Sequence, residues 1–171
     1  MDVYVRSGDS FWSYSQLFRI PLQLIIDSNR NLEPDRLSIG QIVRIPGYVI
    51  QRQQIRPGDS LWSIAMSRNL PSDTLFLTNP GLNPNQLQIG QVVNVPTRVT
   101  WRIVDGRRDY DYEKTRSDLQ QLQAIYPFLQ IAPIGNSVLG NELSEVLVGR
   151  GDKRVHSVSY THLTLPTMAV V

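Results

Sequence analysis

The sequence predicts an α+β protein made of two βααβ modules followed by an incomplete α/β segment. The main observation is an internal repeat, because the chain aligns with itself at an offset of 50 residues without a gap. The aligned segments are Arg6–Ser13 with Arg56–Ser63 and Ile39–Pro46 with Ile89–Pro96. A second observation is that the repeat stops after Pro96, where the character of the sequence changes. A repeat of this length predicts two copies of one small module before any single residue is interpreted.

Each copy opens with a short extended run and a sharp turn into a helix. The extended runs are Val3–Val5 and Gln53–Ile55. In the Gly-Asp-Ser sequence that follows, Gly8 and Gly58 permit a positive φ angle, and Asp or Ser supplies the oxygen that caps the helix. The pattern therefore predicts a strand, a turn and a helix, in this order, in both copies.

A second helix and a closing strand complete each copy. Leu61, Ile64 and Ala65 have the i, i+3, i+4 spacing of the apolar face of the first helix. After a loop, a second helical run is expected to end at Asn29 in one copy and at Asn79 in the other. The closing β-branched runs, each expected to stop at the proline that follows it, are Ile42–Ile45 and Val92–Val95.

Trp12 and Trp62 occupy equivalent positions in the first turn of the first helix of each copy. We expect each indole to fill the core, because aromatic side chains supply much of the buried surface of a small module. The alternative is that each indole is an exposed platform for a sugar ring.

These motifs resemble the LysM family in both copies. The matching features are Gly-Asp-Ser-(Phe/Leu)-Trp-Ser at the first helix, an Asn at the end of the second helix, and Leu-x-Ile-Gly-Gln-x-Val-x-(Ile/Val)-Pro at the closing strand. The resemblance identifies residues 1–47 as module 1 and residues 52–97 as module 2, joined by a short linker over Gly47–Arg52. Module 1 departs from the family pattern at Asp27–Asn31, where module 2 has the more usual Leu77–Gly81.

The resemblance implies binding to glycans that contain N-acetylglucosamine, namely peptidoglycan or chitin. In the family, the binding groove lies between the turn before the first helix and the loop after the second. The glycan-binding residues expected here are therefore Gly8, Asp9, Ser10, Asn29 and Leu32 in module 1, and Gly58, Asp59, Ser60, Asn79, Pro80, Gly81 and Leu82 in module 2. We expect backbone groups to make the contacts, with unpaired amides at a helix start facing the acetamido carbonyl. A purely structural role of these residues, as helix caps and turns, stays open.

The chain after the two modules, called the third segment below, is predicted to form a helix followed by two strands. The helix is expected over Tyr110–Tyr126 and the strands over Leu129–Ile134 and Leu143–Val148, with one more short strand near Trp101–Val104. The motifs Tyr-Asp-Tyr-Glu, Asp-Leu-x-x-Leu, Tyr-Pro-Phe and Ile-Gly-Asn-Ser-Val-Leu-Gly resemble the start of the M14 zinc carboxypeptidase family. The resemblance covers residues 110–156 and is greatest to the bacterial γ-D-glutamyl-diamino acid endopeptidases of that family.

This second resemblance stops before the zinc chemistry of the family. Its zinc pair is a His-x-x-Glu motif, and zinc hydrolysis needs three protein ligands and an open water position. His156 and His162 are followed three residues later by Ser159 and Leu165. We therefore assign no catalytic residue and no metal ligand, and expect no cofactor in this chain. Zinc is expected in a longer parent protein if that parent is a peptidase.

The segments on either side of residues 110–156 match neither family. Residues 98–109 are expected to be a linker. Residues 157–171 leave the family pattern, and Val158–Thr167 is similar to a translated transposon end of the kind used to prepare sequencing libraries. We expect this tail to be an assembly artefact. The alternative is a natural strand.

Composition argues against several other classes of protein. A net charge of +2 without a run of Lys or Arg gives no basis for binding nucleic acid. The chain has no cysteine, so disulfides and thiolate metal sites are excluded. No apolar stretch predicts a membrane span. The start of the chain, Met1–Arg6, lacks the pattern of a secretory signal, so the location stays open, with the cell wall or the spore as the family-level expectation.

Three functions follow as hypotheses. The first is a peptidoglycan-binding protein whose two modules act as a cell-wall targeting region. The second is part of a zinc-dependent endopeptidase that hydrolyses peptidoglycan stem peptides at the γ-D-glutamyl-diaminopimelate bond. The third is a structural coat or adhesion module that uses the same fold for protein contact.

Overall fold

The computed structural model describes residues 1–105 and 111–149, together with the backbone of two short strands at 155–158 and 167–170. The elements, in chain order, are β1 (Asp2–Tyr4), α1 (Phe11–Phe18), α2 (Leu22–Ser28), β2 (Ile42–Arg44), β3 (Tyr48–Gln54), α3 (Leu61–Ser67), α4 (Asp73–Thr78), β4 (Val92–Arg98), α5 (Tyr112–Ile125), β5 (Gln130–Asn136), β6 (Glu142–Leu147), β7 (Val155–Val158) and β8 (Thr167–Val170). Mixed helices and small antiparallel sheets make this an α+β protein, as the sequence predicted.

Each module pairs its first and last strands in a two-stranded antiparallel sheet and places two short helices between them in the sequence. In module 1, β1 and β2 pair over three residues, with Val3 opposite Val43. In module 2, β3 and β4 pair over seven residues, from Tyr48 opposite Arg98 to Gln54 opposite Val92. The βααβ order predicted from the repeat is therefore present twice.

The longer sheet of module 2 corrects two expectations. The segment expected to be a linker, Gly47–Arg52, is a strand from Tyr48 onwards. Pro96 does not end the closing strand, because β4 continues to Arg98 with Pro96 opposite Ile50. A two-stranded sheet has only edge strands, and an edge strand accommodates a proline whose missing N–H would face away from its partner.

The first helix of each module begins at a reciprocal serine cap. Ser13 N–H donates to Ser10 Oγ at 3.1 Å, and Ser10 N–H donates to Ser13 Oγ at 2.8 Å. The same pair of bonds joins Ser60 and Ser63, at 3.0 and 2.9 Å. Each cap satisfies two amides that a helix start would otherwise leave unpaired, which explains why the Ser-x-x-Ser repeat starts a helix in both modules.

The two modules have separate cores that meet at one boundary. The core of module 2 is formed by Ile55, Leu61, Ile64, Ala65, Leu75, Val93 and Val95. The core of module 1 includes Val3, Val5, Phe11, Tyr14, Phe18, Ile25, Val43, Ile45 and Tyr48. Leu70 and Leu77 belong to module 2 in the sequence but pack in the core of module 1, where they are 5% and 3% exposed. Module 2 therefore contributes apolar side chains to the core of module 1.

The two equivalent tryptophans are not core residues, so the expectation that they fill the core was wrong. Trp12 is 64% exposed and Trp62 is 65% exposed. The preceding residues, Phe11 and Leu61, are 2% and 3% exposed and take the inward position in the first helical turn. Since successive helical residues are rotated by about 100°, the next side chain points away from the core.

The third segment contacts the modules at Gly47. Gly47 N–H donates to the Ile125 carbonyl at 2.8 Å, and Val99 N–H donates to the Gly47 carbonyl at 2.9 Å. Strands β5 and β6 then pair antiparallel, with a register shift between Pro133 and Gly135. The predicted helix and both predicted strands are present, whereas residues 99–105 form no strand, contrary to the expectation for Trp101–Val104.

Two expectations concern residues that the structure describes only in part. Strands β7 and β8 pair antiparallel, with His156 opposite Ala169. The rest of the expected artefactual tail, including His162, lies outside the described residues, and so do residues 106–109 of the expected linker.

Candidate glycan-binding site

In module 1, the turn before α1 is organised around the carboxylate of Asp9. Oδ2 accepts the backbone N–H of Arg6 at 2.9 Å, the Arg6 Nε–H at 3.2 Å and the Tyr14 hydroxyl at 2.9 Å. Burial raises the pKa of Asp9, but the hydrogen bonds from Arg6 and Tyr14 outweigh this effect and lower the pKa below its usual value. The Asp9 side chain is therefore occupied by the protein itself and holds the turn closed.

The equivalent turn of module 2 is held less tightly. Asp59 accepts the Arg56 N–H at 2.9 Å. The position of Tyr14 is taken by Ile64, which has no hydroxyl to donate. Gly58 has a φ of +85°, and an added Cβ would meet no atom within 4 Å, so the turn is open to the solvent.

The asparagine that ends the second helix of each module ties that helix to the closing strand. The Asn79 amide group donates to the carbonyls of Leu75 at 2.8 Å and Asn94 at 2.7 Å, while its oxygen accepts the Asn94 N–H at 2.7 Å. Asn29 makes the same bonds to Ile25 and Arg44, at 2.7 to 2.8 Å, and is 2% exposed. The polar atoms of both side chains are thus used inside the fold.

The loop after the second helix turns differently in the two modules. In module 2, Leu82 N–H donates to the Asn79 carbonyl at 3.1 Å, with Pro80 and Gly81 at the centre of the turn and a φ of +82° at Gly81. Proline followed by a residue with positive φ is the pattern of a type II turn. In module 1, the corresponding turn is closed by a hydrogen bond of 2.9 Å from the Leu32 N–H to the Asn29 carbonyl. Its third residue, Asn31, does not have a positive φ. The central peptide is therefore oriented differently in the two modules.

A two-point ion pair crosses the boundary between the modules. Arg6 Nη1 lies 3.0 Å from Asp73 Oδ1, and Arg6 Nη2 lies 2.8 Å from Asp73 Oδ2. The same guanidinium also contacts Asp9 in its own turn. The side chains of Asp9 and Asp73 together raise the pKa of Arg6 above its ordinary value, with the hydrogen bond to Asp73 as the largest cause.

A cleft of about 290 Å³ opens beside this ion pair. One wall is formed by Tyr4, Val5 and Arg6 of module 1, and the other wall includes Phe76 and the Asn79–Gly81 turn of module 2. Tyr4 is 54% exposed. The cleft therefore joins part of the loop expected to bind glycan in module 2 to the first strand of module 1.

The expected site residues have mixed roles. Gly8–Ser10 and Gly58–Ser60 form the turns before α1 and α3, while Leu32 and Leu82 pack partly buried against the two cores. Pro80 and Gly81 are exposed and line the cleft. Sequence reasoning missed Tyr4 as a lining residue. The available signal was its place between the two inward-facing positions Val3 and Val5, which puts Tyr4 on the outer face of the strand.

These features define a protein with two small βααβ modules, each carrying a Gly-Asp-Ser turn and an Asn-x-x-Leu loop. The LysM domain model matches residues 3–46 and 54–96. The chain therefore belongs to the LysM family, a class of modules that bind peptidoglycan and other N-acetylglucosamine glycans.

Two curated relatives extend the comparison. The chain is 62% identical over 162 residues to gamma-D-glutamyl-L-diamino acid endopeptidase 1 of Lysinibacillus sphaericus, a match that covers 95% of this chain and 41% of the relative. It is 40% identical over 42 residues to the uncharacterized protein YkzQ of Bacillus subtilis strain 168, covering 25% of this chain and 55% of that protein. The first match extends beyond the two modules into the third segment, which agrees with the resemblance found there in the sequence.

Two solved structures share similarity with parts of the chain. The spore cortex-lytic enzyme SleL of Bacillus cereus is 30% identical, with a TM-score of 0.26, covering 58% of this chain and 23% of that protein. SleL of Bacillus megaterium QM B1551 is 22% identical, with a TM-score of 0.27, covering 67% of this chain and 28% of that protein. The family assignment therefore rests on the sequence match of the two modules.

Neither a metal-binding cluster nor a membrane-spanning helix occurs among the described residues. No group of three or more His, Cys, Asp or Glu side chains within them could hold a metal ion. No helix in the same part of the chain is long and apolar enough to cross a bilayer.

Proposed function

We propose that the two modules bind the N-acetylglucosamine-containing glycan strands of peptidoglycan, and that the turns before α1 and α3 and the loops after α2 and α4 make the contacts. The main observation in support is the repeat of one βααβ unit with a Gly-Asp-Ser turn and an Asn-x-x-Leu loop in each copy. The contact residues proposed are those expected from the family, namely Gly8, Asp9, Ser10, Asn29, Leu32, Gly58, Asp59, Ser60, Asn79, Pro80, Gly81 and Leu82.

The interior roles of several of these residues favour contact through the backbone. The Asn79 amide is used by Leu75 and Asn94, and Asp9 is used by Arg6 and Tyr14. The exposed surface of the module 2 loop is supplied by Pro80 and Gly81, where the chain can approach a sugar ring closely. Because this turn is exposed and carries a glycine, module 2 is the stronger binder in this proposal.

The decisive experiment is sedimentation with insoluble peptidoglycan. The test variant is Gly81→Val, which puts a β-branched side chain on the loop. The matched control is Gly140→Val in the third segment, because the φ angles of the two glycines are +82° and +81° and neither has an atom within 4 Å of an added Cβ. We expect the wild type and Gly140→Val to pellet and Gly81→Val to remain mostly in the supernatant. If the two variants pelleted equally, the module 2 loop would not be part of the binding site.

A second candidate function is part of a peptidoglycan endopeptidase, and it is favoured by the 62% identity to a protein of that name. The chain spans 41% of the length of that relative. The residues present do not fit a zinc site, because neither His156 nor His162 starts a His-x-x-Glu motif. The purified chain is therefore proposed to act as the wall-targeting region of such an enzyme, without zinc or turnover of its own.

Zinc analysis and amine release from purified muropeptides separate the two candidates. One zinc ion per chain together with hydrolysis would replace the binding proposal by the enzymatic one. A chain that neither pellets with peptidoglycan nor hydrolyses it would instead favour the third hypothesis, a coat or adhesion module.

A further inference from the structure

We propose that the cleft between the modules is an additional sugar subsite, which receives a neutral N-acetylhexosamine unit of the strand held by module 2 and uses Tyr4 as its stacking surface. This inference rests on the proposed function and adds a residue of module 1 to the site of module 2. It makes the two modules one composite binding surface.

The cleft is continuous with the proposed glycan loop. The Asn79–Gly81 turn belongs to that loop and also forms one wall of the cleft, while Tyr4 stands on the opposite wall. A glycan strand in contact with Pro80 and Gly81 therefore has its neighbouring sugar beside the Tyr4 ring. The volume of about 290 Å³ lies just below the range of about 300–1,000 Å³ for small-ligand clefts, which suits one sugar ring.

The lining has the chemistry of a pyranose site. Tyr4 combines an exposed apolar ring with a hydroxyl at its edge, and a sugar likewise has an apolar face and a polar rim. Pro80 and Phe76 add apolar surface on the opposite wall. An aromatic ring on one side and a proline turn on the other provide two flat surfaces for one ring.

Charge in the cleft favours a neutral sugar. Arg6 is the cation in its wall, and its guanidinium is already bound to Asp9 and Asp73. One cation with two carboxylates leaves this cluster with a net negative charge. A guanidinium whose charge is already paired in this way gives a carboxylate on the ligand no net attraction, so N-acetylglucosamine is favoured over the carboxylate-bearing sugar of peptidoglycan and over the stem peptide.

The cleft is also held in shape before any ligand arrives. The Arg6–Asp73 pair clamps the two walls, and Leu77 is buried in the core of module 1. A preformed site loses little conformational freedom on binding, which favours affinity.

The test is the affinity of the full chain for the N-acetylglucosamine hexamer, measured by calorimetry. We expect Tyr4→Ala to weaken binding about three- to tenfold, the loss that corresponds to one aromatic contact, and Tyr4→Phe to bind like the wild type. The matched control is Gln54→Ala, because Gln54 occupies the position of Tyr4 in module 2. A second readout is the backbone amide spectrum, where Val5 and Arg6 should shift when the hexamer is added.

Each outcome decides between the proposals. If Tyr4→Ala binds as Gln54→Ala does, and the Val5 and Arg6 amides do not move while Gly81→Val still abolishes binding, the subsite is refuted and the proposed function stands. If the wild type pellets with peptidoglycan but does not bind the hexamer, the preference for a neutral sugar is refuted. If it binds neither, both proposals fail.

Discussion

Arg6, in the turn that follows β1, and Asp73 at the start of α4 form a two-point ion pair across the module boundary, with N–O distances of 3.0 and 2.8 Å. With Leu70 and Leu77 packed into the core of module 1, this pair fixes one module against the other. Two linked binding modules gain avidity from their effective concentration, and a fixed spacing restricts that gain to ligands that match it. The protein is therefore expected to prefer long glycan strands over short ones.

The ion pair should contribute little to stability. Both side chains are more than one-third exposed, at 39% and 46%, and ion pairs of this kind contribute about 0.2–1 kcal/mol. We predict that Asp73→Ala lowers the free energy of unfolding by no more than about 1 kcal/mol and that added salt reduces the difference. Urea unfolding at low and high salt measures it, with Asp35→Ala as a control at another exposed carboxylate. A loss above about 3 kcal/mol would mean that the pair is structural.

Asn79 should be a structural residue whose loss destabilises module 2. Asn79→Ala removes four hydrogen bonds and leaves the Asn94 N–H, two carbonyls and the Thr78 hydroxyl without this partner. We predict a loss of about 2–4 kcal/mol in the free energy of unfolding. Chemical denaturation checks this value against Asn85→Ala, a substitution at an exposed position. Normal stability together with lost glycan binding would instead make the Asn79 side chain a ligand contact.

Local patterns in the sequence were enough to predict the repeated fold. The Gly-Asp-Ser turn, the apolar spacing at Leu61 and Ile64 and the closing strand each depend on neighbouring residues, and all three are present. The sequence placed Asn79 correctly at the end of the second helix but did not show that its amide points inward. That role depends on Asn94, 15 residues further along the chain, and becomes visible only when the closing strand is in place.

Contacts between the modules could not be predicted from the repeat. A repeat describes what the two copies share, whereas the Arg6–Asp73 pair and the Tyr4 wall join different positions of the two copies. In module 2, Arg56 takes the place of Arg6, but the segment that follows module 2 does not continue the repeat and has no position equivalent to Asp73. The composite cleft therefore depends on module 1 preceding module 2 in the chain.

The Asp9 turn should make module 1 sensitive to acid. Burial raises the pKa of Asp9, but the bonds from Arg6 and Tyr14 prevail, so the folded state favours the ionised carboxylate. A lowered folded-state pKa gives stability that is present above the unfolded value of about 3.8 and is lost as the pH falls through the folded-state pKa. We predict that Asp9→Asn destabilises the protein at pH 7 and that the difference from the wild type shrinks below pH 3.8. Thermal unfolding at several pH values tests this.

The control for this pH dependence is Asp59→Asn at the equivalent turn. Ile64 stands there in place of Tyr14, so the hydroxyl bond is missing from the outset. We expect Asp59→Asn to change the acid profile less than Asp9→Asn does. Equal profiles for the two variants would show that the Tyr14 hydroxyl and the Arg6 guanidinium do not set the ionisation of Asp9.

The exposed tryptophans should tolerate substitution far better than the residues that precede them. Trp62 is 65% exposed and Leu61 is 3% exposed, although the two are adjacent in the first turn of α3. We predict that Leu61→Ala costs about 2–5 kcal/mol of unfolding free energy, because it removes buried methyl groups and leaves a cavity. Trp62→Ala should stay within about 0.5 kcal/mol of the wild type, as surface substitutions usually do. Chemical denaturation of both variants gives the comparison, and Trp12→Ala with Phe11→Ala repeats it in module 1.

If Trp62→Ala were as costly as Leu61→Ala, the indole would have to be packed in the core. If Trp62→Ala is stable, the indole is available to a ligand, and peptidoglycan sedimentation of the same variant tests whether the indole is the sugar platform that the sequence left as an alternative.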